Sequence, residues 1–140
     1  FPTRRSSDLI FDGRGSELEA APLMERLVYE SLALKYRRIS EDISRISGQP
    51  TKVVHIVGGG SRNEMLNQFA ADAVGVPVIA GPVEATAAGN TMVQALGMGI
   101  IRSMHAALPV IRKSFPIKVY KPGMSQAWEE AYRRFSRILA

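Results

Sequence analysis

Three consecutive glycines, Gly58, Gly59 and Gly60, end the apolar run in VVHIVGGGSRNE, just where the composition turns helix-like. Three glycines in a row cost more backbone entropy on folding than an ordinary tripeptide, and a loop that only turns needs one. A strand, a glycine loop and a helix bring free backbone amides and the positive end of a helix dipole to one spot. That chemistry suits an anion, and bare glycine backbone lets a phosphate or the flat face of a nucleotide come close. Ser61 offers a helix cap, and Asn63 can donate and accept a hydrogen bond at the first turn. The plainer alternative is that the glycines only permit a tight strand-to-helix turn.

Two nucleotide signatures fit poorly. A phosphate-binding P-loop needs Lys followed by Ser or Thr after its last glycine, and GGGSRN has no such pair. A dinucleotide fingerprint needs a third glycine where Asn63 stands, and Glu84 comes several residues late to be its ribose-binding acid. The remaining polar residues read as structural. His55 lies within a strand, His105 has no partner in the sequence, and Asp72 near a helix end suits a structural hydrogen bond. Met65, Met92, Met98 and Met104 fall on helical faces as core filler.

The elements that must position the glycines follow from periodicity. Residues 10–22 are turn-rich and read as a connector. From Leu23 a helix pattern carries Leu27, Val28, Ser31, Leu32, Leu34, Tyr36, Ile39, Ile43 and Ile46, with Pro22 at its start and Gly48 and Pro50 at its end. VVHIV (53–57) and VPVIA (76–80) read as strands covered on both faces. Between them Asn63 to Val74 forms a helix, and Ala85 to Ile101 a further one rich in small residues. Residues 103–113 predict a short helix, 115–120 an exposed strand, and 125–139 a terminal amphipathic helix with Trp128, Tyr132 and Phe135. The class is α/β. A sheet covered on both faces normally has four to six strands, so more strands are expected upstream.

The 140 residues suit one domain. There are no cysteines, which removes disulfide, thiolate-metal and thiol-nucleophile chemistry. No run is long and apolar enough for a membrane span and no secretory leader is visible, so a cytoplasmic location is expected. Residues 102–140 hold 8 Lys/Arg against 2 Asp/Glu, while residues 1–101 hold 10 against 11. Without an aromatic stacking platform, this basic end reads as a solvated helix face and not a nucleic-acid surface. Residues 1–9 (FPTRRSSDL) relate to nothing that follows and are read as a non-native tail, the rival being a natural disordered terminus.

The stretch ESLALKYRRISEDI, followed by HIVGGGSRNEMLNQFAADAVGVPVIAGPVEATAAGNTMVQALGMG, resembles the carboxy-terminal domain of the FGGY family of carbohydrate kinases, from about Leu27 to Tyr120. The resemblance implies an actin-like ATPase domain with a ribonuclease-H-like core, of which this chain holds only the second half. It sets the kinase domain at 23–120 and leaves 121–140 as a terminal basic helix. It implies ATP and Mg²⁺ as cofactors, with Gly58, Gly59, Gly60 and Asn63 contacting the nucleotide. Arg62 would flank the adenine or stay solvated, and Glu84 and Thr86 would cap the next helix. The implied reaction is transfer of the ATP γ-phosphoryl group to a hydroxyl of a ketose. Its general base and sugar pocket are implied to lie in a missing amino-terminal domain, so no catalytic residue is assigned here.

Overall fold

Helix α1 (Glu17–Ser47) begins before Pro22, not at it. The preceding residues Glu17 to Ala21 are good helix formers, and two glutamates suit a helix N-terminus. The helix therefore runs through Pro22 and forgoes one backbone hydrogen bond, and the expected connector shrinks accordingly. The structure, a computed structural model, describes residues 17–123 and 126–138. The expected tail at 1–9 lies outside the described residues.

After Ser47, Gly48 takes φ 69° and reverses the chain. Thr51 fastens the return, its N–H donating to Ser44 Oγ at 3.1 Å and its hydroxyl to the Ser40 carbonyl at 3.3 Å. The remaining elements are β1 (Val54–Ile56), a 3-10 turn (Gly58–Arg62), α2 (Glu64–Val74), β2 (Val78–Ala80), α3 (Ala85–Gly97), α4 (Met104–Ser114), β3 (Lys118–Tyr120) and α5 (Gln126–Ile138). The sheet order is β1-β2-β3. β1 and β2 run parallel with Val54 opposite Val78, joined through α2, and β3 returns antiparallel with Val119 opposite Ile79.

The core is small-residue packing of α2 on this sheet. Ala70 and Ala71 meet Val78, Ala80 and Tyr120, with Tyr36, Val54 and Ile56 at the margin. Full burial of Val78 contributes roughly 2 kcal/mol. Strands β1 and β2 are not covered on both faces as expected: His55 is exposed and Ile79 is half-buried, while Val119 of β3 is exposed, as expected of that strand. Only one layer of helix packs on the sheet among the described residues. For the same reason Val28, Ile39, Ile43 and Ile46 of α1 stand exposed, and so do Met65, Met98 and Met104, which correct their reading as core. Helices α3 and α4 pack chiefly on each other.

The terminal helix α5 is docked on α1 and α2. Phe69 and Trp128 meet edge-on with ring centroids 5.4 Å apart. Arg37 of α1 donates twice to the Glu129 carboxylate, at 2.7 and 3.0 Å, while its guanidinium lies 4.1 Å over the Tyr132 ring. The Tyr132 hydroxyl donates to Glu41 at 2.5 Å. Arg134 pairs with Glu130 along α5. Part of the basic charge is thus spent within the fold.

Arg37 holds the Glu129 carboxyl below the ordinary carboxylate range. The linked stability is present above the unfolded-state pKa and is lost as pH falls through the folded value. Burial raises Glu30, whose contribution runs oppositely, but it is common to the parent and an Arg37→Met variant. Trp128 is the only tryptophan, so its emission reports α5 docking. On acidification the Arg37→Met chain should show the red shift of exposed tryptophan at a higher pH than the parent. Coincident titrations would mean that the Arg37–Glu129 pair does not hold the helix.

Candidate functional site

The carboxyl ends of β1 and β2 lie side by side, and their two loops are joined by backbone bonds. The Gly81 N–H donates to the Ile56 carbonyl at 2.9 Å, and the Gly58 N–H to the Pro82 carbonyl at 3.0 Å. In an open α/β sheet such a crevice beyond the strand ends is the usual ligand position. Gly81 must be glycine: its φ is 111°, and a Cβ would lie 2.7 Å from the Pro116 carbonyl oxygen.

The three glycines of the turn divide by role. Gly58 has φ 74°, a left-handed conformation that disfavours any side chain. Gly59 and Gly60 do not have positive φ. A Cβ on Gly59 would meet nothing within 4 Å, and one on Gly60 would only touch Ile56 at 3.5 Å. Both are exposed. The chain's own packing therefore accounts for one glycine of the three and leaves a shallow bare-backbone surface at the other two.

Asn63 caps α2, its Oδ1 accepting from the Leu66 N–H at 2.9 Å. Ser61, expected as a cap, turns inward instead and donates its hydroxyl to the Gly58 carbonyl at 2.6 Å. It sits inside the 3-10 turn, two residues before the cap position that Asn63 holds. Arg62 extends over the rim, with Nη2 4.0 Å from Glu84 Oε1 and both side chains largely exposed. Glu84 occupies the cap position of α3 without making a side-chain cap, and Thr86 lies exposed in the first turn; the capping expected of them is not formed. At the first residue of α2, Lys118 of β3 donates to Glu64 at 2.6 Å, and this bond raises the lysine pKa.

Asp72 has the structural role expected, its Oδ1 accepting from Gln68 at 2.8 Å and from the Gly123 N–H at 2.7 Å. His55 and His105 are exposed. Asn67 went unnoticed in the sequence. It is fully buried, and its Nδ2 donates to the Ser61 carbonyl at 2.9 Å, tying the turn to the helix interior. Its position among Leu66, Ala70 and Ala71, as a polar residue on an apolar stripe, was the available signal.

The geometry brings Gly58, Gly59, Gly60 and Asn63 together with Arg62 and Glu84. Among the described residues no group of three His, Asp or Glu side chains could hold a metal ion. Because Asn63 satisfies an otherwise orphaned amide, Asn63→Ala should cost about 1 kcal/mol of stability, whereas Asn63→Asp should cost much less. Urea unfolding midpoints would read the difference. Equal losses in the two variants would show that the side chain acts other than as a cap.

The profile of the FGGY family of carbohydrate kinases, C-terminal domain, matches residues 5–98, which include the glycine turn, α2, β2 and α3. Among curated relatives, the rhamnulokinase of Bacteroides thetaiotaomicron is 46% identical over 114 residues, covering 81% of this chain and 24% of the relative. That of Bacillus subtilis is 42% identical over 95 residues, covering 68% and 20%. That of Pectobacterium carotovorum is 36% identical over 115 residues, covering 82% and 23%. The chain therefore spans about a quarter or less of the length of these relatives. With most of its length matched to one profile, and with strand, glycine turn and helix in the order that profile spans, the chain belongs to the FGGY family of carbohydrate kinases and corresponds to its C-terminal domain.

Proposed function

We propose that this chain supplies one wall of the nucleotide site of an ATP-dependent sugar kinase. The complete enzyme transfers the γ-phosphoryl group of ATP to a hydroxyl of L-rhamnulose, giving L-rhamnulose 1-phosphate. The observation that carries the nucleotide part is the state of Gly59 and Gly60. Neither needs to be glycine for the fold, yet together they keep a surface bare at the carboxyl ends of two parallel strands. The name rhamnulokinase borne by the relatives supports the sugar.

The residues fit a nucleotide. A backbone without side chains at Gly59 and Gly60 admits a flat base or a phosphate, and Gly58 sets the turn from which they project. Asn63 stands at the helix start behind them, and Arg62 at the rim is placed to lie beside the bound base. Mg²⁺ would travel with the ATP phosphates, where it neutralises charge during phosphoryl transfer. Its protein partners, the base that takes the hydroxyl proton and the sugar pocket belong in this reading to an amino-terminal domain.

The fold class in this reading is a partial actin-like ATPase domain of ribonuclease-H-like type. Its support is that β1 is an edge strand among the described residues, leaving one side available to further strands of the same sheet. We place the enzyme in the cytoplasm and give it no nucleic-acid or membrane partner. No helix among the described residues is long and apolar enough to cross a membrane, and the docking of α5 supports reading the basic end as a solvated surface.

In the complete enzyme, Gly59→Val should raise the KM for ATP by about tenfold or more, the loss expected when a close backbone contact is blocked. The KM for the sugar should move little. The chain has room for the new side chain, so equal effects on both constants would refute a local nucleotide contact. ADP release across a panel of ketoses and polyols should depend on L-rhamnulose. Release with xylulose, ribulose or glycerol instead would replace the sugar while keeping the kinase. A folded enzyme that releases ADP with none of them would remove the nucleotide from the glycine turn.

A further inference from the structure

The two polar atoms of Asn67 are treated unequally. Its Nδ2 donates to the Ser61 carbonyl at 2.9 Å. Its Oδ1 is buried and has no hydrogen-bond partner among the described residues. The orientation is fixed by the carbonyl it faces, because a flipped amide would set two acceptors against each other. A buried acceptor without a partner destabilises the folded state, and an apolar side chain of similar size would avoid that loss. Packing alone therefore does not select asparagine at this place. What leucine could not do is donate to the Ser61 carbonyl.

We propose that Asn67 is a positioning residue for the glycine turn, holding its backbone in the conformation that receives the nucleotide. The bonds run in series. Asn67 Nδ2 holds the Ser61 carbonyl, the Ser61 hydroxyl holds the Gly58 carbonyl at 2.6 Å, and the Gly58 N–H holds the Pro82 carbonyl at 3.0 Å. A turn with three glycines in five residues has more backbone freedom than an ordinary sequence of that length. Anchoring its far end to a fully buried side chain removes that freedom before the ligand arrives, which is where pre-organisation gains affinity. The inference rests on reading the turn as the nucleotide site, and it concerns affinity for the nucleotide alone.

The test uses the complete enzyme with Asn67→Leu, and Gly59→Val as comparator. Asn67→Leu removes the unpartnered oxygen but also leaves the Ser61 carbonyl without its donor, so the two effects oppose each other and its melting temperature should stay close to the parent's. Without ligand, hydrogen exchange in the 58–62 segment should quicken about tenfold, as expected when a local structure loses one buried bond. The KM for ATP should rise about tenfold, with kcat and the KM for the sugar changed by less than about twofold. If Gly59→Val raises the KM for ATP and Asn67→Leu leaves it and the exchange unchanged, Asn67 has no positioning role and the nucleotide site stands. If neither variant moves the KM for ATP, the turn is not the nucleotide site and the proposal is overturned with it. Should leucine's branch prevent folding, Asn67→Ala removes the same donor from a smaller volume, and the same selective rise is required of it.

Discussion

Everything in this chain depends on how closely α2 approaches the sheet. Ala70 and Ala71 have no side chain beyond Cβ, so the helix sits down on Val78, Ala80 and Tyr120 with no larger side chain between. From that seat α2 also meets α1 and α5 on its other sides and carries the glycine turn at its N-terminus. A bulky residue at either alanine would lift the helix and separate the turn from the loop after β2. The spacing of the candidate site is thus set by two methyl groups in the core.

Three polar residues around the turn show how local chemistry is divided. Asn63 serves the helix, Ser61 the turn, and Asn67 the joint between them. Sequence reading placed Gly58, Gly59, Gly60 and Asn63 together because a strand signal, a glycine run and a helix signal are consecutive and local. It put Ser61 at the helix cap because it could not separate a 3-10 turn from a loop; both are short, and only the hydrogen-bond ladder tells them apart. Asn67 escaped because a mid-helix asparagine reads as surface until the opposing wall is known.

Other differences have the same origin. Apolar residues that stay exposed among the described residues, such as Ile43, Val28 and Met65, are indistinguishable in sequence from those that are buried. Periodicity reports which face of a helix is apolar, not whether a neighbour is there to cover it. The strands β1 and β2 were legible from their β-branched runs, whereas their covering was not, since that depends on elements far away in the chain. The start of α1 moved because one proline weighs less than five good helix formers ahead of it.

The bond from Asn67 to the turn has a mechanical meaning. A loop anchored to the buried interior of its own helix does not flex independently of that helix. Force applied at Gly59 or Gly60 passes through Ser61 into α2, and from α2 into the helices resting on it, α1 and α5. The turn is thereby tied to all three helices, so a displacement at the strand ends is shared with α1 and α5 and not absorbed in the loop alone.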